Sequence, residues 1–544
     1  MPVVSIELRR IARLVGANPR SIIKRLPYAG LDIESVSKDS IRVEYSPNRP
    51  DFGTDFGIAR ALRGLFGKEV GLPAYRTSSS GMTVSVDRRL STIRPYIACA
   101  AATGIKLDNE DIRQILSLQE DLHNGLGRKR RVVAIGLHDL HRVEGPFKYE
   151  AVDSSFSFRP LDSKRELTIS QILSETEPGR LYGRVLPAGS LFPVIVDAKG
   201  TVLSFPPIIN GSATKVTTGT RSLFIDVTST DARVGDDVLA IMSTTLIETG
   251  AKIGSVAVRY RNETRITPDL REQEFRLDTA LVEQLLGLGL TKGRIADSLR
   301  RSRLALRGDR VFAPRYRIDL LHPVDIVEEV ALGYGVDKIG SLYPASNRPG
   351  AFNAMEQFLD RASTIMAGTG MTELMTFELV DEKSLYTNFE RQSKSKIAVH
   401  DPRSLQHFLL RDSLVPSLMS ALSSNGKEDY PQRVFEIGRV YLRSETRVTE
   451  SWHLGCLVAH TQASFTEAKM YLEALCRTLA GCELSTKQYL HWAFSPGRTA
   501  SVSVGSELLG VVGELKPEAL AAFRVNVPVA GFEIDLPRLR EQLK

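Results

Sequence analysis

A group of carboxylates within one short stretch could bind a hard cation. Residues 317–330 read RIDLLHPVDIVEEV, and the carboxylates in this stretch are Asp319, Asp325, Glu328 and Glu329. Pro323 favours the first turn of a helix, so Asp325 shares a helix face with the two glutamates. Like charges at this spacing repel, and oxygen ligands without His or Cys favour Mg²⁺ over zinc. From the residues alone, a Mg²⁺ site and a solvated acidic helix start remain equally open.

A second group of residues could line a small polar pocket. Residues 203–212 read LSFPPIINGS, and residues 223–228 read LFIDVT. Two prolines followed by Asn-Gly-Ser predict a rigid loop that carries small polar groups. Asp226 and Thr228 are two apart on a predicted strand, so they point to the same face. On these residues alone, an ordinary turn beside a strand is the simpler interpretation.

General enzyme motifs are missing from the sequence. It contains no phosphate-binding Gly-Lys-Ser/Thr loop, no Gly-x-Ser-x-Gly elbow and no His-Glu-x-x-His helix. His138 and His141 follow a run that predicts a strand ending in a loop, so we expect loop packing there rather than metal binding. The cysteines are Cys99, Cys456, Cys476 and Cys482. Their spacing forms neither a zinc pair nor a disulfide framework, and we expect reduced core thiols.

The elements that would position these residues divide into several regions. A length of 544 residues suggests about three to five domains. The domains predicted from pattern changes span residues 1–76, 82–265, 268–340 and 341–544. The Ser-rich segment 77–81 predicts a linker between the first two. Strands are predicted at 3–8, 41–45, 96–105, 131–136, 191–197, 223–226, 433–441 and 500–504. Long helices are predicted at 56–65, 352–369, 414–424 and 467–479.

Residues 268–340 predict two helices followed by a strand pair, as in a winged helix. The helices are expected at 276–286 and 291–300, and the strands at 303–306 and 310–312. Basic residues on the second helix, such as Lys292 and Arg294, would also suit a DNA-binding module in a regulator. A winged helix inside a longer enzyme is more often an interaction domain.

The composition is that of a folded soluble protein. Hydrophobic residues make up 42% and charged residues 25%, with 71 basic and 64 acidic side chains and a formal net charge of +7. This excess permits contact with a polyanion but does not establish it. The N-terminal sequence lacks an apolar signal segment, and no apolar run is long enough to span a bilayer. We therefore expect a cytoplasmic protein without a membrane partner.

Taken together, these segments resemble the β subunits of phenylalanyl-tRNA synthetases of the archaeal and eukaryotic type. The resemblance covers nearly the whole chain, and several separated motifs occur in the right order. They are SPNRPD at 46–51, GIARALRG at 57–64, RPYIACAAATGIK at 94–106, LSFPPIINGS at 203–212, RIDLLHPVDIVEEVALGYG at 317–335 and FEIGRVY at 435–441.

The resemblance implies a multidomain α+β fold. It implies a small N-terminal α/β unit, a B3/B4-type editing domain at 82–265, a B5 winged-helix-like domain at 268–340, and a class II synthetase-like antiparallel core at 341–544. That core is expected to be non-catalytic, because the motif that should carry an ATP-binding Arg reads GFEIDL at 531–536. Carboxylates there would repel a triphosphate. Arg411 matches another ATP-binding position, but it could equally be structural.

The resemblance also implies partners and a reaction. An α₂β₂ heterotetramer is expected, in which the α subunit binds ATP and phenylalanine and charges tRNA(Phe). The β subunit would hydrolyse mischarged Tyr-tRNA(Phe). A phenylalanine site cannot strongly reject a side chain that merely adds a hydroxyl, so a second pocket must read that hydroxyl. The alternative is a scaffold and tRNA-binding subunit that does not edit.

The family's functional residues map onto specific positions here. The residues expected in the editing pocket are Leu203, Ser212, Asp226, Thr228, Gln119 and Arg130. Asp226 is the expected acceptor for the tyrosine hydroxyl, with Thr228 and Ser212 beside it. Gln119 and Arg130 would hold the tRNA terminus and the attacking water. With the resemblance, Mg²⁺ becomes the preferred interpretation of Asp319, Asp325, Glu328 and Glu329.

Overall fold

The computed structural model describes residues 2–343, 349–392, 396–444 and 447–542. The chain forms two compact units, residues 1–343 and 344–544. Each unit has hydrophobic cores of its own. No helix among the described residues is both long enough and apolar enough to cross a bilayer.

The first unit is built mainly from short strands with helices packed against them. Its strands are β1 (Val3–Glu7), β2 (Asp32–Val36), β3 (Ser40–Glu44), β4 (Thr77–Val86), β5 (Tyr96–Thr103), β6 (Val133–Asp139), β7 (Phe147–Val152), β8 (Ser157–Phe158), β9 (Leu167–Thr168), β10 (Phe192–Val196), β11 (Val202–Phe205), β12 (Ile209–Asn210), β13 (Ser222–Ser229), β14 (Lys252–Arg259), β15 (Thr264–Thr267), β16 (Gln273–Arg276), β17 (Ala305–Arg307) and β18 (Arg310–Ala313). Its α-helices are α1 (Leu8–Val15), α2 (Pro19–Arg25), α3 (Asp55–Leu65), α4 (Asn109–Asn124), α5 (Ile169–Glu175), α6 (Glu177–Tyr182), α7 (Ala232–Glu248), α8 (Thr279–Leu286), α9 (Lys292–Arg301) and α10 (Pro323–Tyr334).

A large mixed sheet dominates the first unit and positions the candidate site. Its strand order is β12-β11-β10-β7-β4-β14-β5-β13-β6, with β15 paired to β14. Strand β13 runs antiparallel to both β5 and β6. Leu223, Ile225 and Val227 of β13 pack in the core that also includes residues of α4 and α7. Since side chains alternate along a strand, Asp226 and Thr228 point to the other face of the sheet.

The linker predicted at residues 77–81 is wrong, because these residues begin strand β4. Strand β4 runs parallel to β14, with Ser79 opposite Ser255. The Ser80 hydroxyl donates to the Ser255 carbonyl at 2.6 Å. Gly81 has φ +72° and lies within the register shift between Ser79 and Thr83. Sheet pairing with a partner nearly two hundred residues away therefore overrides the local Ser-rich composition, which sequence pattern alone did not indicate.

Three smaller sheets lie in the described part of the first unit, and one of them is the short antiparallel pair β8-β9. Near the N-terminus the order is β1-β3-β2, and further along the chain it is β16-β18-β17. The helices predicted at 276–286 and 291–300 are observed as α8 and α9, and the strand pair that follows is β17 and β18. Helix α10 packs on both α8 and α9. Strand β16 was not predicted, and it pairs with β18 along the side opposite β17.

The second unit centres on a sheet of order β19-β22-β23-β27-β26-β25-β24, antiparallel except where β19 meets β22. The strands are β19 (Thr372–Glu373), β20 (Leu379–Val380), β21 (Leu409–Leu410), β22 (Gln432–Arg443), β23 (Val448–Ala459), β24 (Ser485–Gln488), β25 (Phe494–Val504), β26 (Glu507–Leu515) and β27 (Val529–Asp535). The α-helices are α11 (Ala354–Gly368), α12 (Glu382–Leu385), α13 (Val415–Ser424), α14 (Phe465–Ala480), α15 (Pro517–Phe523) and α16 (Leu536–Glu541).

Candidate active site

A cavity of about 560 Å³ opens at the β6 edge of the large sheet. Its walls come from helix α4, strand β6, the loop after β11, and the segment between β8 and α6. Gln119, Arg130 and Asp226 all line it. The structure thus brings together three of the predicted editing residues. The volume lies within the range of small-molecule sites, and the lining mixes apolar surface with a few polar groups.

Asp226 is buried and held by a chain of polar side chains. It is 1% exposed, and its Oδ2 lies 2.7 Å from His138 Nε2. His138 Nδ1 lies 2.8 Å from the Thr214 hydroxyl. A carboxylate accepts hydrogen bonds, so the proton on Nε2 is donated to Asp226 and Nδ1 is free to accept from Thr214. This arrangement fixes one carboxylate oxygen and orients the other.

Gly136 leaves the space in which this pair of side chains meets. It lies directly opposite Asp226 in the β6–β13 register. A Cβ at position 136 would come within 2.1 Å of Asp226 Oδ2 and 2.5 Å of His138 Nε2. A larger residue would therefore push the carboxylate and the imidazole apart.

A second polar group on the cavity wall combines Glu120, His123 and Arg130. The Ile135 N–H donates to His123 Nε2 at 2.8 Å, so the proton of a neutral ring lies on Nδ1, which is 3.1 Å from Glu120 Oε1. Burial lowers the pKa of His123, although the hydrogen bond to Glu120 opposes this shift. The hydrogen bond from His123, together with the charge of Arg130, lowers the pKa of Glu120 against the effect of burial. The wall therefore carries a neutral imidazole beside an ionised carboxylate.

Arg130 bridges helix α4 and the loop after β11. Its Nη2 donates to Glu120 at 2.9 Å, and its Nη1 donates to the carbonyls of Pro207 and Ile208 at 3.3 and 3.1 Å. The guanidinium also lies 4.3 Å from the ring centroid of Tyr182. These contacts hold Arg130 on the cavity wall. Its Nε is buried without a hydrogen-bond partner among the described residues.

Gln119 attaches helix α4 to strand β6. Its side-chain amide donates to the Ile135 carbonyl at 2.8 Å. The Ile135 N–H donates to His123, so both backbone polar groups of Ile135 form hydrogen bonds with α4 side chains. Ile135 lies in β6, the last strand in the sheet order. The helix thereby caps the sheet edge and closes one side of the cavity.

Three further predicted residues lie beside the cavity rather than on its wall. Leu203 is fully buried in the core that contains Phe224 and Phe147. The adjacent Ser204 lines the cavity instead. The Ser212 hydroxyl accepts from Arg159 Nε at 2.8 Å and lines a separate depression of about 390 Å³. The Thr228 hydroxyl accepts from Arg94 Nε at 2.9 Å, so Arg94 covers it. Whether these residues act in editing stays a prediction.

Sequence reasoning missed His138 and assigned it to loop packing. It lies within strand β6 and is fully buried, so the expected strand end at 136 and the loop placement were both wrong. The signal available was periodicity. His138 follows Gly136 at the two-residue spacing of one strand face, and Asp226 was already predicted on a strand. Because the pairing of β6 with β13 is not encoded locally, the contact could not be inferred.

The acidic residues of the 317–330 stretch are neutralised in part by an arginine. Arg317 Nη2 lies 2.7 Å from Asp319 Oδ2 and 2.5 Å from Glu329 Oε1. These two carboxylates raise the pKa of Arg317, although burial acts in the opposite direction. Asp325 instead caps helix α10, accepting from the N–H groups of Leu321 and His322 at 2.7 and 2.6 Å.

These carboxylates do not form a ready metal cage. Within the described ranges, no three His, Cys, Asp or Glu side chains are gathered closely enough to hold an ion. Glu328 is exposed, and partial burial together with Glu329, Asp325 and Asp319 raises its pKa. The donor set has the hard oxygens that Mg²⁺ prefers and an excess of negative charge, but its geometry does not fit an ion as it stands.

The second unit also contains a cavity, of about 340 Å³, lined by Asp412, His453, Trp492 and Glu533 among others. Glu533 accepts from the Ser413 hydroxyl at 2.6 Å and lies 2.7 Å from His453 Nδ1. Arg411 is buried and donates to Glu436, Thr376 and the Arg439 carbonyl. Those contacts favour the structural interpretation of Arg411. Carboxylates at this cavity would oppose the binding of a triphosphate.

Comparisons with known proteins agree with this architecture. Residues 339–536 match the family model described as phenylalanyl tRNA synthetase beta chain CLM domain, and residues 275–336 match the tRNA synthetase B5 domain. A phenylalanine–tRNA ligase beta subunit from Archaeoglobus fulgidus is 40% identical, with 98% of each chain covered. One from Methanococcoides burtonii is 37% identical, covering 98% of this chain and all (100%) of that protein.

A solved structure is similar to part of the chain. It is the crystal structure of an N-terminal fragment of the phenylalanyl-tRNA synthetase β-subunit from Pyrococcus horikoshii. It is 34% identical, has a TM-score of 0.59, and covers 61% of this chain and 99% of the fragment. The two matched domains and this likeness define an aminoacyl-tRNA synthetase chain. Given full-length relatives at 40% identity, the chain belongs to the phenylalanine–tRNA ligase beta subunit family.

Proposed function

We propose that this chain is the non-synthetic subunit of an α₂β₂ phenylalanine–tRNA ligase and that it edits mischarged tRNA. The α subunit would bind ATP and phenylalanine and charge tRNA(Phe) in the cytoplasm. The names of the full-length relatives support the subunit role. The carboxylates at the cavity of the second unit and the engaged Arg411 support placing the synthetic site elsewhere.

The editing role rests mainly on Asp226 in the cavity of the first unit. A tyrosine differs from a phenylalanine by one hydroxyl, and a buried acceptor distinguishes the two strongly. Tyrosine satisfies Asp226, whereas phenylalanine would leave a buried carboxylate without a hydrogen bond in that position. Since His138 already donates to Oδ2, the other carboxylate oxygen is the one assigned to the tyrosine hydroxyl.

The hydrolysis itself is assigned to a positioned water. Gln119, Glu120 and Arg130 line the cavity and would hold the terminal nucleotide and the water. A water near the ribose hydroxyls attacks the ester carbon, and the bond between that carbon and the ribose oxygen breaks. The ribose oxygen leaves as a hydroxyl with a proton from the water, and free tyrosine is released. Placing the reactants together lowers the entropic part of the barrier without a protein nucleophile.

We also propose that Mg²⁺ binds at the 317–330 carboxylates, and no step of editing passes through it. The support is electrostatic, because burial and the charges of Glu329, Asp325 and Asp319 all raise the pKa of Glu328. Binding would require Asp325 or Arg317 to leave its present contacts. When bound, the ion would supply positive charge at the start of helix α10.

One experiment separates an editing subunit from a scaffold that only supports the α subunit. The chain, alone and assembled with a matching α subunit, is given Tyr-tRNA(Phe) and Phe-tRNA(Phe), and deacylation and charging are measured. We expect selective loss of the tyrosyl ester, with phenylalanine charging only in the assembly. Charging without selective deacylation would favour the scaffold. Neither activity, with a competent α subunit, would contradict the proposed function.

A further inference from the structure

The segment after helix α4 is a strained turn with a high density of positive charge. Arg128, Lys129 and Arg130 have φ values of +48°, +57° and +65°. Left-handed backbone costs a residue with a Cβ about 1–2 kcal/mol, and three such residues in succession are uncommon. Backbone strain of this kind persists only where the surroundings enforce it, and it concentrates at functional sites. We call residues 128–131 the basic turn.

The basic turn is fixed from beneath by a buried arginine. Arg94 is 1% exposed and donates to the carbonyls of Arg130, Arg131 and Val132, each at 3.3 Å. It is itself held by Thr228, whose carbonyl and hydroxyl accept at 2.8 and 2.9 Å. Because these acceptors are uncharged, burial prevails and lowers the pKa of Arg94 to about 10. An arginine is thus used to hold the turn carbonyls inward.

The entry to the turn is constrained as well. A Cβ on Gly127 would lie 2.5 Å from the His123 carbonyl and 2.8 Å from the Val133 carbonyl, so no larger residue fits without a backbone shift. The Arg130 N–H donates back to the His123 carbonyl at 3.0 Å. These contacts hold the turn in a conformation that places Arg130 on the cavity wall and leaves its neighbours on the surface.

The neighbouring side chains are exposed and carry uncompensated charge. Arg128, Lys129 and Arg131 are exposed, and none forms an ion pair with another residue in the described part of the chain. Some other exposed cations near the cavity are paired, as in Lys215 with Asp162 and Arg165 with Glu175. Three unpaired cations on a rigid turn, next to the wall of a hydrolytic cavity, suit a regularly spaced polyanion.

We propose that the basic turn binds the phosphodiester backbone of the 3′ strand of the aminoacyl-tRNA as its end enters the cavity. This inference rests on the proposed editing function. Arg130 would face the terminal nucleotide, and Arg128, Lys129 and Arg131 would contact the phosphates that precede it. Exposed Arg and Lys supply the salt-dependent part of nucleic-acid affinity. Rigidity of the turn reduces the ordering cost of these contacts.

The test compares the tRNA affinities of full-length variants of the chain. A triple variant, Arg128→Gln, Lys129→Gln and Arg131→Gln, is compared with the wild type on intact tRNA and on tRNA lacking its last four nucleotides. A control triple variant changes Arg20, Lys38 and Arg76 to Gln, which are also exposed and unpaired in the described structure. Affinity is measured over a series of salt concentrations. Assembly of each variant with the α subunit is measured in parallel.

We expect the triple variant to lose about tenfold in affinity for intact tRNA and little for truncated tRNA. The slope of log affinity against log salt should fall by about two, since each phosphate contact contributes about 0.7–0.9. The control variant should change neither quantity more than twofold. In deacylation by the assembled enzyme, the basic-turn variant should raise KM and leave kcat nearly unchanged.

Equal losses on intact and truncated tRNA, or an unchanged salt slope, would overturn the proposal. Loss of assembly with the α subunit would also overturn it, by assigning the basic turn to a protein contact. Because the affinity measurements do not depend on hydrolysis, their result stands even if Tyr-tRNA(Phe) is not deacylated. Absence of deacylation by the wild type would instead contradict the proposed function.

Discussion

At the scale of single residues, the account depends on how Asp226 is held. His138 donates to one carboxylate oxygen from the neighbouring strand, and Gly136 provides the room for this contact. The imidazole acts through Asp226 and is therefore a positioning residue. Its role can be separated from simple packing because glutamine places an amide N–H close to where His138 has Nε2.

We expect His138→Leu to reduce discrimination between tyrosyl and phenylalanyl esters by about 10- to 100-fold. Losing a hydrogen bond to a buried carboxylate costs about 1–3 kcal/mol. His138→Gln should restore a substantial part of the selectivity. The measurement is the ratio of kcat/KM for deacylation of the two esters. Equal ratios for wild type and both variants would show that His138 only packs.

The structure leads us to expect opposite effects on deacylation from substitutions at Ser212 and at Asp226. The sequence grouped them in one pocket, but Ser212 is bound by Arg159 and lines another depression. We therefore expect Ser212→Ala to change the deacylation rate of Tyr-tRNA(Phe) by less than about twofold. A loss comparable to that of an Asp226 variant would mean that the loop moves to bring Ser212 into the site.

His123 makes the stability of the first unit depend on pH. Burial lowers its folded-state pKa below the ordinary 6.5, so the unfolded chain binds a proton more readily. Stability from this residue is complete above about pH 6.5 and declines as the pH falls below that value. Protonation would also remove the acceptor for the Ile135 N–H. Thermal unfolding from pH 7.5 to 5 should show a smaller loss for His123→Gln than for wild type. If the melting temperatures of the wild type and His123→Gln fell equally with pH, His123 would not cause the pH dependence of stability.

At the scale of elements, helix α10 is tied to the chain before it by Arg317. Arg317→Met would leave Asp319 and Glu329 without their cation in a buried place. Removing one partner of a buried pair costs about 3–5 kcal/mol. We expect a lower melting temperature, with part of the loss recovered when Asp319→Asn is added. An unchanged melting temperature would mean that the pair is solvated.

The proposed Mg²⁺ site is tested on the same helix. Binding to the folded state alone raises stability with ligand concentration. After treatment with a chelator, added Mg²⁺ should raise the melting temperature of the wild type and have less effect on Glu328→Gln. An equal shift in both proteins, or none in either, would leave the carboxylates as a helix start held by Arg317 and the backbone.

Local sequence patterns predicted many helices and strands. They failed where pairing with a distant strand determines the structure. Helices α3, α9 and α13 and strands β10 and β22 were predicted within a few residues, because their periodicity and caps are local. Strand β4 was taken for a linker, since only its pairing with β14 makes it a strand. In the same way, sequence placed Asp226 on a strand face but gave no sign that His138 lies next to it.

At the scale of the whole molecule, the two compact units carry different parts of the proposed role. The first unit contains the cavity with Asp226, and the family match over residues 339–536 covers most of the second. We expect the chain alone to show no phenylalanine-dependent exchange between ATP and pyrophosphate, because the carboxylates of Asp412 and Glu533 line the cavity of the second unit. If the purified wild-type chain catalysed this exchange and its Arg411→Met variant did not, the assignment of synthesis to the α subunit would be contradicted.

The most direct test of the central claim is the rate at which the assembled enzyme deacylates Tyr-tRNA(Phe) and Phe-tRNA(Phe), with wild type and Asp226→Ala side by side. The account predicts that the wild type hydrolyses the tyrosyl ester selectively. It also predicts that Asp226→Ala loses most of this selectivity while it still binds tRNA and supports charging. Selective deacylation that survives Asp226→Ala unchanged would contradict the account.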